Sequence, residues 1–158
     1  MRKHRTSNIE HRTPNKSDFD TWALHEGSDS KRKYDLEERL LEFASGIIDL
    51  TEKLPTTRAG NHVAGQILRS GTAPFPNHGE AEAAESREDF IHKLKICLKE
   101  LRETRRWARL IQRKNWSKDD PTLLFVLQES EELIRIFVSS IRTSRQNLLT
   151  QKQNSTPK

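Results

Sequence analysis

Apolar residues recur in alternating steps of four and three along three long stretches of the chain, the spacing of one face of an α-helix. The first stretch predicts a helix over 34–53, which Pro55 ends. The other two predict helices over 86–114 and from Pro121 to about residue 148. The three apolar seams are Leu36, Leu40, Phe43, Ile47, Leu50 and Leu54; Phe90, Leu94, Cys97, Leu101, Thr104, Ala108 and Ile111; and Leu123, Leu127, Ser130, Ile134, Phe137, Ile141, Ser144 and Leu148.

A second helical region begins near Arg58 and is interrupted before it resumes over 77–85. The interrupting residues are Gly71, Pro74 and Pro76. Proline breaks a helix because it lacks the backbone N–H and its ring clashes with the preceding turn. At the ends of the longer helices, Ser86 is a predicted N-cap, and Pro121 suits a first-turn position.

Four helical segments joined by short turns predict an all-α fold, an antiparallel up-down-up-down four-helix bundle with a broken second helix. No stretch shows the alternation that is typical of a β-strand. Further apolar residues beside the seams widen the buried faces, which indicates that the bundle also buries surface against copies of itself. These flanking residues are Ile91, Leu98, Trp107, Val126, Leu133 and Val138.

Composition divides the chain into three parts. Residues 1–33 are rich in Ser, Thr, Asn and charged residues without an apolar period, so we predict a disordered basic arm. Residues 148–158 are predicted to be a disordered tail, which leaves 34–147 as the bundle. The arm holds eight basic and five acidic residues and the tail holds two lysines, so these ends account for the whole net charge of +5. The bundle itself is formally neutral.

Within this neutral bundle, positive charge is concentrated on the third helix of the four, 86–114, which has ten Lys and Arg against four Asp and Glu. Six of the basic residues alternate in steps of four and three, so they lie along one face, opposite the apolar seam. They span about 27 Å of helix. We call this surface the basic ridge: Lys95, Lys99, Arg102, Arg106, Arg109 and Arg113. Such a ridge can follow the phosphate backbone of RNA or DNA.

The same charge pattern has a plainer explanation, because runs of charge usually form a solvated outer face. Acidic residues of the first and last helices could also take up the ridge charges across a subunit contact. They are Asp35, Glu37, Glu38 and Glu42, and Glu129, Glu131 and Glu132. A scaffold or adaptor that binds protein partners therefore stays open beside nucleic-acid binding. No aromatic residue interleaves with the ridge, which argues against base stacking on single strands.

The candidate chemical groups do not assemble into a catalytic or metal site. Asp89-x-x-His92 has the spacing of half a di-metal bundle site, but the seams contain no second carboxylate–histidine pair. Cys97 lies on an apolar seam and is expected to be a small core residue. We therefore predict no enzymatic activity, no metal and no cofactor. A single cysteine, no apolar signal segment and no apolar run of about 18 residues predict a cytoplasmic protein without membrane contact.

A phosphotransfer bundle is a minor alternative from another class. His92-Lys93-Leu94-Lys95 resembles the His-x-Leu-Lys of histidine phosphotransfer domains. That resemblance suggests His92 as the phosphoryl acceptor and Lys95 as its electrostatic partner. The next residue is Ile96, where that family usually places a small residue to admit its partner protein.

Several short segments, taken in order, carry a resemblance to a second family. They are Arg69-Ser70-Gly71-Thr72, Asn77 with Glu80-Ala81, Asp89-Phe90-Ile91 followed by Lys93-Leu94, and ELRETRRW over 100–107. They resemble the four-helix-bundle proteins first noted as products of intervening sequences in bacterial large-subunit rRNA genes. That family includes the accessory variability determinant of diversity-generating retroelements. The resemblance covers about 34–147, the whole predicted bundle.

The resemblance implies a ring-shaped homo-oligomer, typically a pentamer, without enzymatic activity. It also implies nucleic-acid binding through basic surface and, for the retroelement member, work with a reverse transcriptase. Among the matching positions, Arg69 would bind nucleic acid or an acidic neighbour, and Asn77 would cap the resumed helix with Glu80 three residues on. Two features depart from the family pattern. The stretch 74–76 contains two prolines instead of at most one, and the bundle is neutral where the retroelement member is strongly basic.

Overall fold

The computed structural model describes residues 29–117 and 119–154 of the chain. This part contains five α-helices and no strand. The helices are α1 (Asp29–Glu52), α2 (Arg58–Thr72), α3 (Pro74–Glu82), α4 (Arg87–Lys114) and α5 (Pro121–Asn154). Residues 1–28 and 155–158 lie outside the described residues, so the disorder expected for most of the arm and for the end of the tail stays a prediction.

Ion pairs between helices show how the compact unit that begins at Asp35 is connected. Two ion pairs connect each of three pairs of neighbouring elements. From the first ion pair to the second, the residue numbers rise in one element and fall in the other, so the neighbours are antiparallel. The pairs are Arg39 with Glu129 and Lys53 with Asp120 between α1 and α5; Arg105 with Glu131 and Lys152 with Glu88 between α4 and α5; and Arg69 with Glu103 and Lys93 with Glu80 between α4 and the α2–α3 segment. The predicted four-helix bundle is confirmed.

The order of neighbours around the bundle places α1 and α4 on opposite corners. Both helices contact α5, and both contact the α2–α3 segment, where Ile47 of α1 meets Gly71. The outer faces of α1 and α4 therefore point away from each other. This arrangement matters for the charge distribution described below.

The predicted seams form the core. Phe43 of α1 and Phe137 of α5 are its largest fully buried side chains, and Ile67 of α2 and Leu101 of α4 close it from the other two corners. Burying one such side chain stabilises the fold by roughly 1.5–3 kcal/mol. The pattern of steps of four and three thus identified the buried faces of all three long helices.

The break in the second helix is shorter than the sequence predicted. Only Ala73 separates α2 from α3, and its backbone stays helical, with φ −60° and ψ −35°. The helix resumes at Pro74 rather than at residue 77 and ends at Glu82 rather than at residue 85. Two prolines two residues apart each lack an N–H, which interrupts the hydrogen-bond ladder locally without forcing the chain into a loop.

The predicted capping role of Asn77 is wrong. Its Nδ2 donates a hydrogen bond to the carbonyl oxygen of Ala73 at 2.8 Å, from inside the first turn of α3. The capping position is Ala73, which has no side-chain cap. Glu80 forms an ion pair with Lys93 on α4 instead of supporting a cap.

The ends of the long helices follow the predicted signals more closely. Ser86 is the N-cap of α4, since its Oγ accepts a hydrogen bond from the Asp89 N–H at 3.1 Å. Pro121 is the first residue of α5. Two bounds are corrected: α1 begins at Asp29 instead of residue 34, and α5 continues to Asn154, through residues predicted to be a disordered tail.

Candidate nucleic-acid interface

All six residues of the basic ridge are exposed on α4, while the apolar seam of the same helix is buried. The helix begins at a capped N-terminus and ends at Asn115, whose left-handed backbone, φ 53°, stops it. Between these ends α4 runs for 28 residues without a break. A single straight element therefore fixes the spacing of the six cationic side chains.

The ridge has fewer ion pairs than the rest of the bundle. Elsewhere on the bundle, seven basic residues with described side chains have acidic partners: Arg39, Lys53, Arg69, Lys93, Arg105, Arg135 and Lys152. Five others have no ion pair among the described residues and are spread over α2, α4 and α5: Arg58, Arg87, Lys114, Arg142 and Arg145. On the ridge, the one ion pair within the described part of the chain joins Lys99 Nζ to Glu100 Oε1 at 3.9 Å. Like charges three and four residues apart on a helix repel one another. The ridge is therefore a row of positive charges that the described residues leave largely uncompensated.

The acidic residues considered as partners for the ridge fall into two groups. Those of α5 are used within the chain: Glu129 pairs with Arg39, and Glu131 and Glu132 pair with Arg135. Those of α1 with described side chains are exposed and form no ion pair among the described residues; they are Glu37, Glu38 and Glu42. Because α1 and α4 occupy opposite corners, the two charged faces point in opposite directions.

The outer surface of α4 carries a shallow open depression of about 700 Å³. Every residue that lines it belongs to α4: Lys95, Leu98, Lys99, Arg102, Glu103, Arg106, Trp107 and Leu110. A second depression, lined by Arg106, Arg109, Leu110, Gln112, Arg113 and Asn115, continues it towards the end of the helix. The site is thus an extended helix surface, suited to a long ligand rather than to an enclosed small molecule.

An aromatic side chain does lie beside the ridge, which corrects the expectation from the sequence. Trp107 is half-buried and lines the depression together with Lys99, Arg102 and Arg106. Its ring meets His62 of α2 edge-on, with the ring centres 6.2 Å apart. From the sequence, Trp107 was expected to belong to the widened apolar face. Its position around the helix, next to the ridge, was the one signal that it could also line the binding surface.

Arg69 lies on α2 rather than in the line of the ridge. Its Nη2 pairs with Glu103 Oε1, and its Nη1 lies 3.5 Å from Glu100 Oε2. Of the two predicted roles, the structure shows the contact with acidic neighbours. Glu103 is one of the residues that line the depression, so Arg69 neutralises a negative charge there.

The residues around Arg69 explain why this segment has its particular sequence. Ser70 is fully buried, and its Oγ lies 3.0 Å from Thr104 Oγ1. Thr104 Oγ1 also donates to the Glu100 carbonyl oxygen at 2.8 Å. Glu100 is 7% exposed, although charged residues are rarely buried unless paired, and here the guanidinium of Arg69 supplies the pairing. A polar layer therefore fixes α2 against α4 directly beneath the depression.

The remaining chemical candidates, Cys97 and His92, are not among the residues that line the depression. Cys97 is completely buried, and burial raises the pKa of its thiol to about 12, so it is a core residue rather than a nucleophile. His92 is exposed on α4. Within the described ranges, no three His, Cys, Asp or Glu side chains come together as a metal site would require. No helix there is both long enough and apolar enough to span a membrane.

The fold and this surface together define the class of the protein: an antiparallel four-helix bundle whose third helix, α4, presents a largely uncompensated row of cations. The sequence profile of the 23S rRNA-intervening sequence protein family matches residues 32–139, which include most of the bundle. The chain belongs to this family, as the resemblance of its short segments predicted.

Known structures give the same picture. The chain is similar to a crystal structure from Bacteroides thetaiotaomicron VPI-5482, a protein of unknown function from the S23 ribosomal protein family. The two are 37% identical with a TM-score of 0.61, and the match covers 66% of this chain and 96% of the other. Among curated proteins, none matches the chain.

Proposed function

We propose that the protein is a non-enzymatic, homo-oligomeric accessory protein that binds nucleic acid through the basic ridge of α4. The observation that carries the proposal is the row of six exposed cations on one face of α4, of which five have no carboxylate partner among the described residues. Of the twelve other basic residues with described side chains, seven have such a partner. A polyanion supplies the missing negative charge and releases its own counterions on binding.

The geometry favours contact with the backbone of a nucleic acid over reading of its sequence. The six cations follow one helix over about 27 Å, a line of charge of the kind that phosphates present. Sequence is read by side chains placed against base edges, and lysine and arginine residues in a continuous row contact phosphates first. We therefore expect binding with little sequence preference.

Self-association is the second part of the proposal. Several large apolar side chains stay more than one-third exposed on the single chain, including Leu41, Ile48, Leu124 and Val138. Burying them against other copies removes apolar surface from water, which is the main driving force of obligate assembly. From the family resemblance we propose a pentamer and a reverse transcriptase as a further partner, and from the single cysteine and the lack of an apolar signal segment a cytoplasmic location.

The test is the binding of the purified chain to duplex DNA and to structured RNA across a salt series, with light scattering for mass. Binding to six phosphates gives a slope of about −5 in log K against log salt for duplex DNA. Five copies of the 18.4-kDa chain give a particle of about 92 kDa. No binding at about 50 mM salt, where phosphate contacts are strong, would sink the proposal.

Charge reversal separates nucleic-acid binding from the scaffold alternative. Lys99→Glu with Arg106→Glu is expected to abolish binding and to leave the particle mass unchanged. The matched control, Arg142→Glu with Arg145→Glu, changes the net charge equally on exposed positions of α5 that have no ion pair among the described residues, and it should weaken binding much less. If the ridge variant instead forms a smaller particle, the ridge is a subunit contact and the scaffold role is correct.

A further inference from the structure

The depression on α4 combines two kinds of surface that a simple phosphate-binding site does not need. Lys99, Arg102 and Arg106 supply positive charge along one side. Trp107 lines the same depression, and Leu110, which is 39% exposed, lies one turn further along the helix. Apolar and aromatic area therefore lies within reach of a ligand whose phosphates contact the ridge.

The ring of Trp107 is held in place before any ligand arrives. Its Nε1–H donates to Glu103 Oε1 at 3.4 Å, and the edge-on contact with His62 braces the ring from α2. The same Glu103 oxygen accepts from Arg69, so the negative charge beside the ring is already neutralised. A fixed ring loses little side-chain entropy when a flat ligand packs on it.

These features distinguish between the two forms of nucleic acid. A duplex keeps its bases stacked inside and presents phosphates and sugars, so its contact with the ridge would leave Trp107 and Leu110 without a partner. A single strand offers unpaired bases together with its phosphates, and aromatic rings beside a cationic track are the usual surface for it. We propose that the ridge binds single-stranded nucleic acid, with one unpaired base packed on Trp107. This inference rests on the proposed function and names the form of its ligand.

The experiment compares strands that differ only in their bases. Fluorescence anisotropy measures the affinity of the protein for labelled oligo(dT) of about 12 nucleotides, for an abasic strand with the same number of phosphates, and for the corresponding duplex. We expect the thymine strand to bind at least about fivefold more tightly than the abasic strand. Trp107→Ala should remove this difference without changing the affinity for the abasic strand.

Two further measurements guard against misfolding of the variant. Phe75→Ala removes an aromatic side chain that is partly buried like Trp107 but lies on α3, outside the depression, and it should leave all affinities unchanged. In Trp22→Phe with Trp116→Phe, Trp107 is the one remaining tryptophan. Its fluorescence should be quenched by saturating oligo(dT) and not by the abasic strand.

The failures of the two proposals are distinguishable. Equal affinity for oligo(dT) and the abasic strand, with no quenching of Trp107, would overturn the stacking inference while leaving the ridge as a phosphate-binding surface. Tighter binding to the duplex than to oligo(dT) would overturn it in the same way. If none of the strands binds, the proposed function fails and this inference fails with it.

Discussion

Ile47 of α1 occupies the space that a side chain at position 71 of α2 would need. A Cβ atom on Gly71 would come within 2.6 Å of Ile47 Cγ1 and 2.7 Å of its Cδ1. Both residues are buried, so neither side can move away without opening the core. The glycine of the Arg-Ser-Gly-Thr segment is therefore required by close helix packing, although its backbone is ordinary α-helix.

Gly71→Ala is expected to lower the free energy of unfolding by about 1–3 kcal/mol, because an inserted methyl group overpacks the contact with Ile47. Alanine has the higher helix propensity, so helix formation alone predicts the opposite sign. Urea unfolding followed by circular dichroism measures the effect. Gly65→Ala is the matched control: it lies in the same helix with no atom within 4 Å of the added group and should raise stability by up to about 1 kcal/mol. Equal stability of the two variants would contradict this packing.

The buried hydroxyls of Ser70 and Thr104 should stabilise the bundle cooperatively. Ser70→Ala or Thr104→Val alone leaves the other hydroxyl with fewer buried partners, and each is expected to cost about 1–2 kcal/mol. The double variant leaves neither hydroxyl of the pair without a partner. Its loss in the free energy of unfolding should therefore be smaller than the sum of the two single losses. A double-mutant cycle by urea unfolding measures the coupling. Simple additivity would show that the two hydroxyls do not interact.

Cys97 should resist thiol reagents as long as the bundle is folded. Burial raises the pKa of its thiol from 9.0 to about 12, which reduces the thiolate fraction at pH 8 about a thousandfold. The folded state holds the thiol proton of Cys97 more tightly than the unfolded state does, so the free energy of unfolding depends on pH. This dependence leaves stability unchanged below pH 9 and lowers it as pH rises from 9 to about 12. Since Cys97 is the one cysteine of the chain, reaction with a chromogenic disulfide reports on it alone, and urea serves as the control. Rapid reaction of the native protein would contradict this burial.

Arg69 should influence nucleic-acid binding through Glu103 rather than by touching phosphate. Arg69→Gln leaves the Glu103 carboxylate beside the depression without its cation, and we expect affinity for an oligonucleotide to fall about two- to fivefold. Adding Glu103→Gln removes that negative charge and should restore binding to the original level. Anisotropy titrations at fixed salt measure both variants. If the double variant binds as weakly as Arg69→Gln, the uncompensated charge of Glu103 is not the cause of the lost affinity.

Much of the fold could be predicted from the sequence because burial imposes a period on each helix. Steps of four and three located the inner faces of α1, α4 and α5, and the cap at Ser86 and the start at Pro121 followed from local chemistry. The break at Ala73 was predicted too long, because the effect of two prolines on a helix depends on the neighbours that hold it. The cap assigned to Asn77 failed for the same reason: the packing of α3 on α4 decided where that helix begins.

The sequence by itself determined the line of six cations, since a helical period places them on one face whatever the helix packs against. Which of them keep their charge uncompensated was decided only by the tertiary structure. Ion pairing depends on which carboxylates the neighbouring helices bring within about 4 Å, and that distance crosses the bundle rather than following the chain. The bundle brings Glu103 to Arg69 and Glu129 to Arg39, and it turns the acidic face of α1 away.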